Sequence, residues 1–543
     1  MRAPRTTAGT FSAVLLATAA LGIATPAARA TPVADPGTTA GAVRAAGTSA
    51  APSVRFVDIP GAGGITLKGN VFTPSGNGGR EASARYPAVV LPSSWGLNDL
   101  QYLAQAQKLA DSGYVVVSYT ARGFYLSGGT IDVAGPLDVA DISKVIDWTL
   151  ANTPADSGRI GMAGVSYGAG LTLMGAAHDP RVKAVAALSG WADLTESIYG
   201  GRTQHLQSSL LLGAAGYLTG RPSAEFQRVL GDFLASDYDR EDELIAWSRL
   251  RSPGTYLDRI NANGTAVMLA NAWGDTIFPP NQLASFYDRL TVPKRLEFRP
   301  GDHATPEITG LFGLPNDVWS DTRRWLDHHL KGVDNGIDKE LPVRLASRGG
   351  GGYEGYGSWS AVPSATRELP LDGTRRIAAN IDSGADGGII FLSSLADQLA
   401  KAPPVVSVPL LPRAFAAVWQ SPRDETVQQV RGTPVLHTTV TPSASRGTFV
   451  AYLYDVNSLG IGKLITHAPY TFTDRAPGSP FAVDLELYST AYDVPAGHRL
   501  AVVVDTVDPL YIEHNPAFSG LAFSSPAVDP SRLSVPLRRP SLP

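Results

Sequence analysis

From about residue 53 to 345 the chain alternates short runs of β-branched and apolar residues with stretches of helical periodicity, and this alternation restricts the fold more than any other feature. The runs 87–91 (PAVVL), 114–118 (YVVVS), 160–163 (IGMA), 182–186 (VKAVA) and 266–270 (AVMLA) are close to continuously apolar. Such runs fit strands covered on both faces, the condition of a parallel sheet. Between them, 100–111 and 138–150 place apolar residues at helical spacing. Strand–helix alternation of this kind predicts an α/β domain built on a doubly wound, mostly parallel sheet over 53–345.

Residues 191–260 break the rhythm. Phe226, Val229, Leu230, Phe233 and Leu234 share one helical face, with Ser223 placed as an N-cap and Glu225 in the first turn. A helical insertion is expected here, serving either as added packing or as a cap that shapes a substrate pocket. Beyond the glycine-rich 348–358 the pattern changes again. Segments such as 448–454 and 499–504 alternate or run apolar with turn residues between them. That pattern predicts an all-β domain over 350–540, of the two-sheet jelly-roll kind.

The ends and the composition narrow the setting. Arg2 and Arg5 precede an apolar run from 11 to 24 and the small-x-small triplet Ala28-Arg29-Ala30. Residues 1–30 therefore read as a secretory signal cleaved after Ala30, which makes the protein secreted and leaves no membrane segment after processing. The run falls short of the ~20 residues of a spanning helix. Residues 31–52 are mostly Ala, Thr, Pro and Gly, a composition expected to form a disordered leader. With no cysteine, neither a disulfide nor a catalytic thiol is available. A net charge of -4 gives no basic excess of the sort that binds nucleic acid.

Within this frame the segment 159–177, RIGMAGVSYGAGLTLMGAA, holds Gly164-x-Ser166-x-Gly168. The pattern is that of a nucleophile elbow, where small neighbours let strand and helix meet at a tight angle. Since 56 glycines make a chance match common, context decides. Ser166 follows the run 160–163 and opens an Ala- and Gly-rich helix, the strand–turn–helix setting that the motif needs. A serine hydroxyl needs a histidine to take its proton and a carboxylate to orient that histidine. In this fold both lie downstream, acid first. Asp275 in NAWGDTIFP follows the run 266–270, and His303 in RPGDHATP follows a strand at 295–298. Of the rivals, Asp288 falls on an expected helix and Asp302 adjoins the histidine. His178 and His205 precede the acid, His328 and His329 lie in an expected helix, and the other four histidines lie in the β domain. Oxyanion donors are expected from the main-chain N–H of Tyr167 and from Trp95 in Pro92-Ser-Ser-Trp-Gly96, through its indole or its main-chain N–H.

Three stretches, Asp141-Ile-Ser-Lys-Val-Ile-Asp-Trp148, Gly158-Arg-Ile-Gly-Met-Ala-Gly-Val-Ser-Tyr-Gly168 and Trp273-x-Asp275, resemble the serine hydrolases that group Xaa-Pro dipeptidyl-peptidases with cocaine-esterase-like acyl esterases. Tyr452-Leu-Tyr-Asp-Val456, Leu464-Ile-Thr466 and Val494-Pro-Ala-Gly-His-Arg-Leu500 resemble the jelly-roll domain of the same family. The resemblance implies an α/β-hydrolase domain with a helical cap and a β domain packed on it. It also implies Ser166 as nucleophile, Asp275 as acid and His303 as base, with no metal or organic cofactor. Two departures stand out. Trp95 occupies the place where many members carry an oxyanion-hole tyrosine, and Thr120-Ala-Arg-Gly123 replaces the usual Asp-x-Arg-Gly, with Ser127-x-Gly129 following as expected.

The expected activity is cleavage of an ester or amide carbonyl through an acyl-enzyme, with a small-molecule ester or peptide as substrate. An Xaa-Pro dipeptidyl-peptidase must hold a free α-amine with buried acid groups, for which Asp193, Glu196, Asp232 and the cluster 237–243 are candidates. Clustered charges are more often a solvated face, which favours an acyl esterase. A non-catalytic polymer- or carbohydrate-binding protein on a hydrolase scaffold is the alternative from another class.

Overall fold

The computed structural model describes residues 53–74, 84–236, 238–390, 393 and 404–538. The expected signal (1–30), the leader (31–52) and Asp237 lie outside the described residues.

Ten strands form the first sheet: β1 (Ser53–Pro60), β2 (Thr66–Thr73), β3 (Tyr86–Pro92), β4 (Val115–Tyr119), β5 (Ala155–Val165), β6 (Val182–Leu188), β7 (Ala266–Ala272), β8 (Lys294–Arg299), β9 (Val343–Ala346) and β10 (Tyr353–Tyr356). Their order is β1-β2-β4-β3-β5-β6-β7-β8-β9-β10. Strands β3 to β9 run parallel, and β1, β2 and β10 add antiparallel edges.

The near-continuous apolar runs have a direct cause in the packing. Val89, Leu91, Val116, Ala186 and Met268 face one layer, made by α1 (Leu103–Asp111) and the C-terminal helix of the domain, Asp317–Lys331. Val90, Val115, Val117, Met162 and Val185 face the other, made by α2 (Pro136–Asn152), α3 (Tyr167–His178) and the helix Pro280–Arg289. Side chains of a strand alternate between faces, so a strand covered on both is apolar at most positions and admits polar groups chiefly where they are paired, as Arg295, Glu297 and Arg299 are on β8. The expected helix at 100–111 begins as a 3-10 turn, Asp99–Tyr102, before α1.

The insertion between β6 and β7 is helical: α4 (Leu194–Ile198), α5 (Leu206–Thr219), α6 (Ala224–Ala235), α7 (Glu241–Arg249) and α8 (Leu257–Asn263). Ser223 caps α6, its side chain accepting from the Phe226 N–H at 3.1 Å, and Phe226, Val229 and Phe233 are the buried face.

The C-terminal region is an antiparallel β-sandwich of an eight-stranded and a five-stranded sheet. Val430, Leu436, Val440 and Phe523 of the first pack on Phe449, Ala451, Leu453, Val502 and Val504 of the second. The alternate residues Val450, Tyr452, Tyr454 and Val503 point the other way, into a further core with Val408 and Tyr511. The strand Gly447–Val456 is thus buried along its whole length. The sandwich is stitched to the insertion by a bridge between His205 and Tyr511, flanked by Leu206 N–H to Leu510 O at 2.8 Å and Ile512 N–H to Gln204 O at 3.0 Å.

Candidate active site

Ser166 sits on the turn between β5 and α3 at φ 59°, ψ −119°. This conformation is costly for a non-glycine residue and persists only where the surroundings enforce it. Here they do. The Ser166 N–H donates to Leu188 O at 2.9 Å, and the Val165 N–H donates to the Tyr102 hydroxyl at 3.0 Å. The flanking glycines are required sterically: a Cβ on Gly164 would lie 2.5 Å from the Gly168 carbonyl group, and one on Gly168 would lie 2.3 Å from Pro92 O.

The loops after β7 and β8 carry Asp275 and His303 to this turn. Ser166 Oγ donates to His303 Nε2 at 2.8 Å, and His303 Nδ1 donates to Asp275, at 3.0 Å to Oδ2 and 3.1 Å to Oδ1. All three residues are buried. Asp275 Oδ1 is also held by the N–H groups of Ile277 (3.0 Å) and Phe278 (2.7 Å). Burial by itself would depress the imidazole pKa, but the Asp275 charge and hydrogen bond, aided by Asp302 and Glu307, hold it above the ordinary value. Asp302 is buried next to the histidine in sequence. Its Oδ1 ties the two loops together by accepting from the N–H and hydroxyl of Thr276 and the N–H of His303.

Of the two residues expected as oxyanion donors, both border the cavity beside Ser166. The Trp95 indole N–H donates to Leu212 O at 2.8 Å, so it serves to anchor the cap and only the main-chain N–H of Trp95 remains for an oxyanion. The main-chain N–H groups of Trp95 and Tyr167 donate to no protein acceptor among the described residues. The Tyr167 phenol is turned away from the site. It donates to Asp138 Oδ2 at 2.7 Å and accepts from the Ala134 N–H at 2.7 Å. Asp138 itself is pushed up to about 7 by burial.

The cavity holds about 120 Å³ and lies between the elbow and the insertion. Trp95, Trp191, Leu212, Phe226, Phe233 and Phe278 give it a largely apolar wall. Glu241 is the carboxylate among its lining residues, and it is already engaged: Arg202 donates to it at 2.6 and 2.9 Å and the Tyr199 hydroxyl at 2.8 Å. The other acidic candidates are placed elsewhere. Asp193 caps α4 by accepting from Glu196 N–H at 3.1 Å, Asp232 pairs with Arg228 and Arg240, and Glu243 pairs with Arg240. Neither Asp193, Glu196 nor Asp232 lines the cavity.

The departure at Thr120 has a local role. Its hydroxyl donates to Asp99 Oδ1 at 2.7 Å and accepts from the Asp99 N–H at 2.9 Å, while Arg122 pairs with Asp141 at 2.7 Å. Sequence reasoning missed one buried group near the histidine, Glu307. Its carboxylate accepts from the Ser189 hydroxyl at 3.1 Å, and burial raises it to about 7 despite the Arg299 charge.

The family model described as "X-Pro dipeptidyl-peptidase (S15 family)" matches residues 63–305, and that of the X-Pro dipeptidyl-peptidase C-terminal non-catalytic domain matches 421–531. A protein of Streptomyces avermitilis provisionally named an Xaa-Pro dipeptidyl-peptidase is 23% identical over 73% of this chain and 68% of its own. One of Mycobacterium bovis provisionally named a serine esterase is 21% identical over 82% of this chain and 89% of its own. Among solved structures, a CocE/NonD family hydrolase from Staphylococcus aureus superposes with a TM-score of 0.67 at 13% identity, over 90% of this chain and 96% of that one. The two models match in order along one chain whose sheet, helical insertion and sandwich are those of such hydrolases, and the chain belongs to the S15 family of serine hydrolases, esterases and dipeptidyl-peptidases alike.

Proposed function

We propose that this protein is an acyl esterase with Ser166 as nucleophile, His303 as general base and acid, and Asp275 as the orienting carboxylate. The observation that carries the reading is the cavity beside Ser166: its wall is aromatic and aliphatic, and its carboxylate, Glu241, is neutralised by Arg202. A dipeptidyl-peptidase must give the substrate's α-ammonium group an unpaired anion, since a buried cation without a partner costs several kcal/mol. Among the described residues the cavity offers none, whereas an uncharged acyl or alkoxy group fits its wall.

In the reaction, Ser166 Oγ attacks the ester carbonyl while its proton passes to His303 Nε2. Asp275 holds the opposite ring nitrogen and stabilises the imidazolium that forms. The main-chain N–H groups of Tyr167 and Trp95 receive the oxyanion. Collapse of the tetrahedral intermediate expels the alcohol, which takes the proton from His303. Water, deprotonated by the same histidine, then releases the acid and restores Ser166. The apolar run near the N-terminus supports export of the mature chain, which we propose acts outside the cell.

Hydrolysis of p-nitrophenyl butyrate and of Ala-Pro-p-nitroanilide, each with Ser166→Ala as control, tests the reading. Ester turnover lost in the variant, with negligible anilide turnover, supports it. A kcat/KM for the anilide equal to or above that for the ester makes the protein a dipeptidyl-peptidase instead.

A further inference from the structure

The catalytic loop around Asp275 is contacted from a direction that the reaction does not require. Thr276, next to Asp275, has its carbonyl bound by the Ser208 hydroxyl at 2.9 Å, and the buried imidazole of His205 faces the same carbonyl. Both residues belong to the start of the helical insertion. On its other side His205 Nε2 meets the hydroxyl of Tyr488, a residue of the β-sandwich, at 3.3 Å. Tyr488 in turn meets Tyr511 at 3.3 Å, and Tyr511 meets His467 Nε2 at 2.9 Å. A cavity of about 50 Å³ runs beside this chain and is lined by Asp275 and Thr276 as well as by His205, His467, Tyr488 and Tyr511.

Donor bookkeeping gives the chain one direction. Burial holds His205 and His467 at about 3, so both rings are neutral at working pH. With a neutral His205 accepting at Nε2, Tyr488 donates to it. The Tyr488 oxygen then accepts from Tyr511, and Tyr511 accepts from His467 Nε2–H. Each of the two tyrosine hydroxyls is used once as donor and once as acceptor along the line.

We propose that the β-sandwich is part of the catalytic machinery: the oriented chain His467–Tyr511–Tyr488–His205 positions the acid loop, and through Thr276 it fixes Asp275 against His303. The inference rests on the esterase reading, in which Asp275 orients the base. Tyr488 and Tyr511 are positioning residues, since neither touches the reacting atoms.

Tyr488→Phe removes one hydroxyl at constant ring volume and leaves His205 Nε2 without its donor. The variant is expected to lose roughly tenfold in kcat for p-nitrophenyl butyrate at unchanged KM, as a small misplacement of a catalytic group does. Because the Asp275 charge helps to hold the His303 pKa up, the acid limb of kcat/KM should move to lower pH. Tyr511→Phe, which removes the donor to Tyr488, should give the same pair of changes in smaller measure and covers the case in which Tyr488→Phe does not fold. Native kcat and an unmoved acid limb in a folded variant would overturn the proposal, even with a lower Tm, because that is the signature of packing alone. Fluorophosphonate labelling of the wild-type protein separates the two ideas. If Ser166 is not labelled the esterase reading has failed, and if it is labelled while both variants behave as wild type only the positioning chain has failed.

Discussion

Gly168→Ala tests whether the elbow and the proposed oxyanion donors form one mechanical unit. The added Cβ would meet Pro92 O at 2.3 Å and the Tyr102 hydroxyl at 3.1 Å, where ordinary contact begins near 3.4 Å. Pro92 O is main chain at the end of β3, so no side-chain rotation relieves the clash. Either the start of α3 or the loop leading to Trp95 must retreat by about 1 Å. Overpacking of this kind costs about 1–3 kcal/mol of stability. The same shift parts the N–H groups of Tyr167 and Trp95, and loss of one oxyanion donor costs roughly 10²- to 10³-fold in kcat. Steady-state ester kinetics combined with thermal unfolding measures both effects. A variant with wild-type kcat and Tm would refute the reasoning, and one with lower Tm but full kcat would show that the donors lie elsewhere.

Three further outcomes are expected. Since the Asp275 charge outweighs burial at His303, the acid limb of kcat/KM should titrate above the ordinary imidazole value of about 6.5, activity being lost as the ring protonates; a pH–rate profile checks this. Glu307 sits at about 7 in the folded protein against 4.5 ordinarily, so the folded state keeps a proton that the unfolded chain gives up, and this group makes stability fall as pH rises from 4.5 to 7. Glu307→Gln should remove that fall, so urea unfolding should show the variant gaining on the wild type across this window by up to roughly 3 kcal/mol. Arg202→Ala uncovers Glu241 in the cavity wall, and should raise KM for p-nitrophenyl butyrate several-fold while improving turnover of substrates with a free amine.

Much of the architecture was legible because the two periodicities differ so plainly. The runs at 87–91, 114–118 and 266–270 are apolar on both faces since helices cover both, and each is a strand of the parallel sheet. The elbow was legible for a steric reason, as Gly164 and Gly168 have no room for a Cβ. Ser166, Asp275 and His303 could be named from chain order, and the fold brings them into one hydrogen-bonded line. The engagement of the Trp95 indole could not be read, because its acceptor Leu212 lies more than a hundred residues away on the insertion. Glu307 and Asp138 carried no local signal, for their roles depend on burial against distant segments. The charges at 193–243 looked like amine anchors or solvated surface, and only their pairing with Arg202, Arg228 and Arg240 resolves what they do.

The central claim, covalent catalysis at Ser166, is tested most directly by trapping the acyl-enzyme. The protein is mixed with excess p-nitrophenyl butyrate, quenched in acid within the first turnovers, and examined by intact-mass and peptide mass spectrometry. The account predicts a butyryl adduct mapped to Ser166, absent from Ser166→Ala together with turnover. An adduct on another residue, or ester hydrolysis that survives in Ser166→Ala, would contradict it.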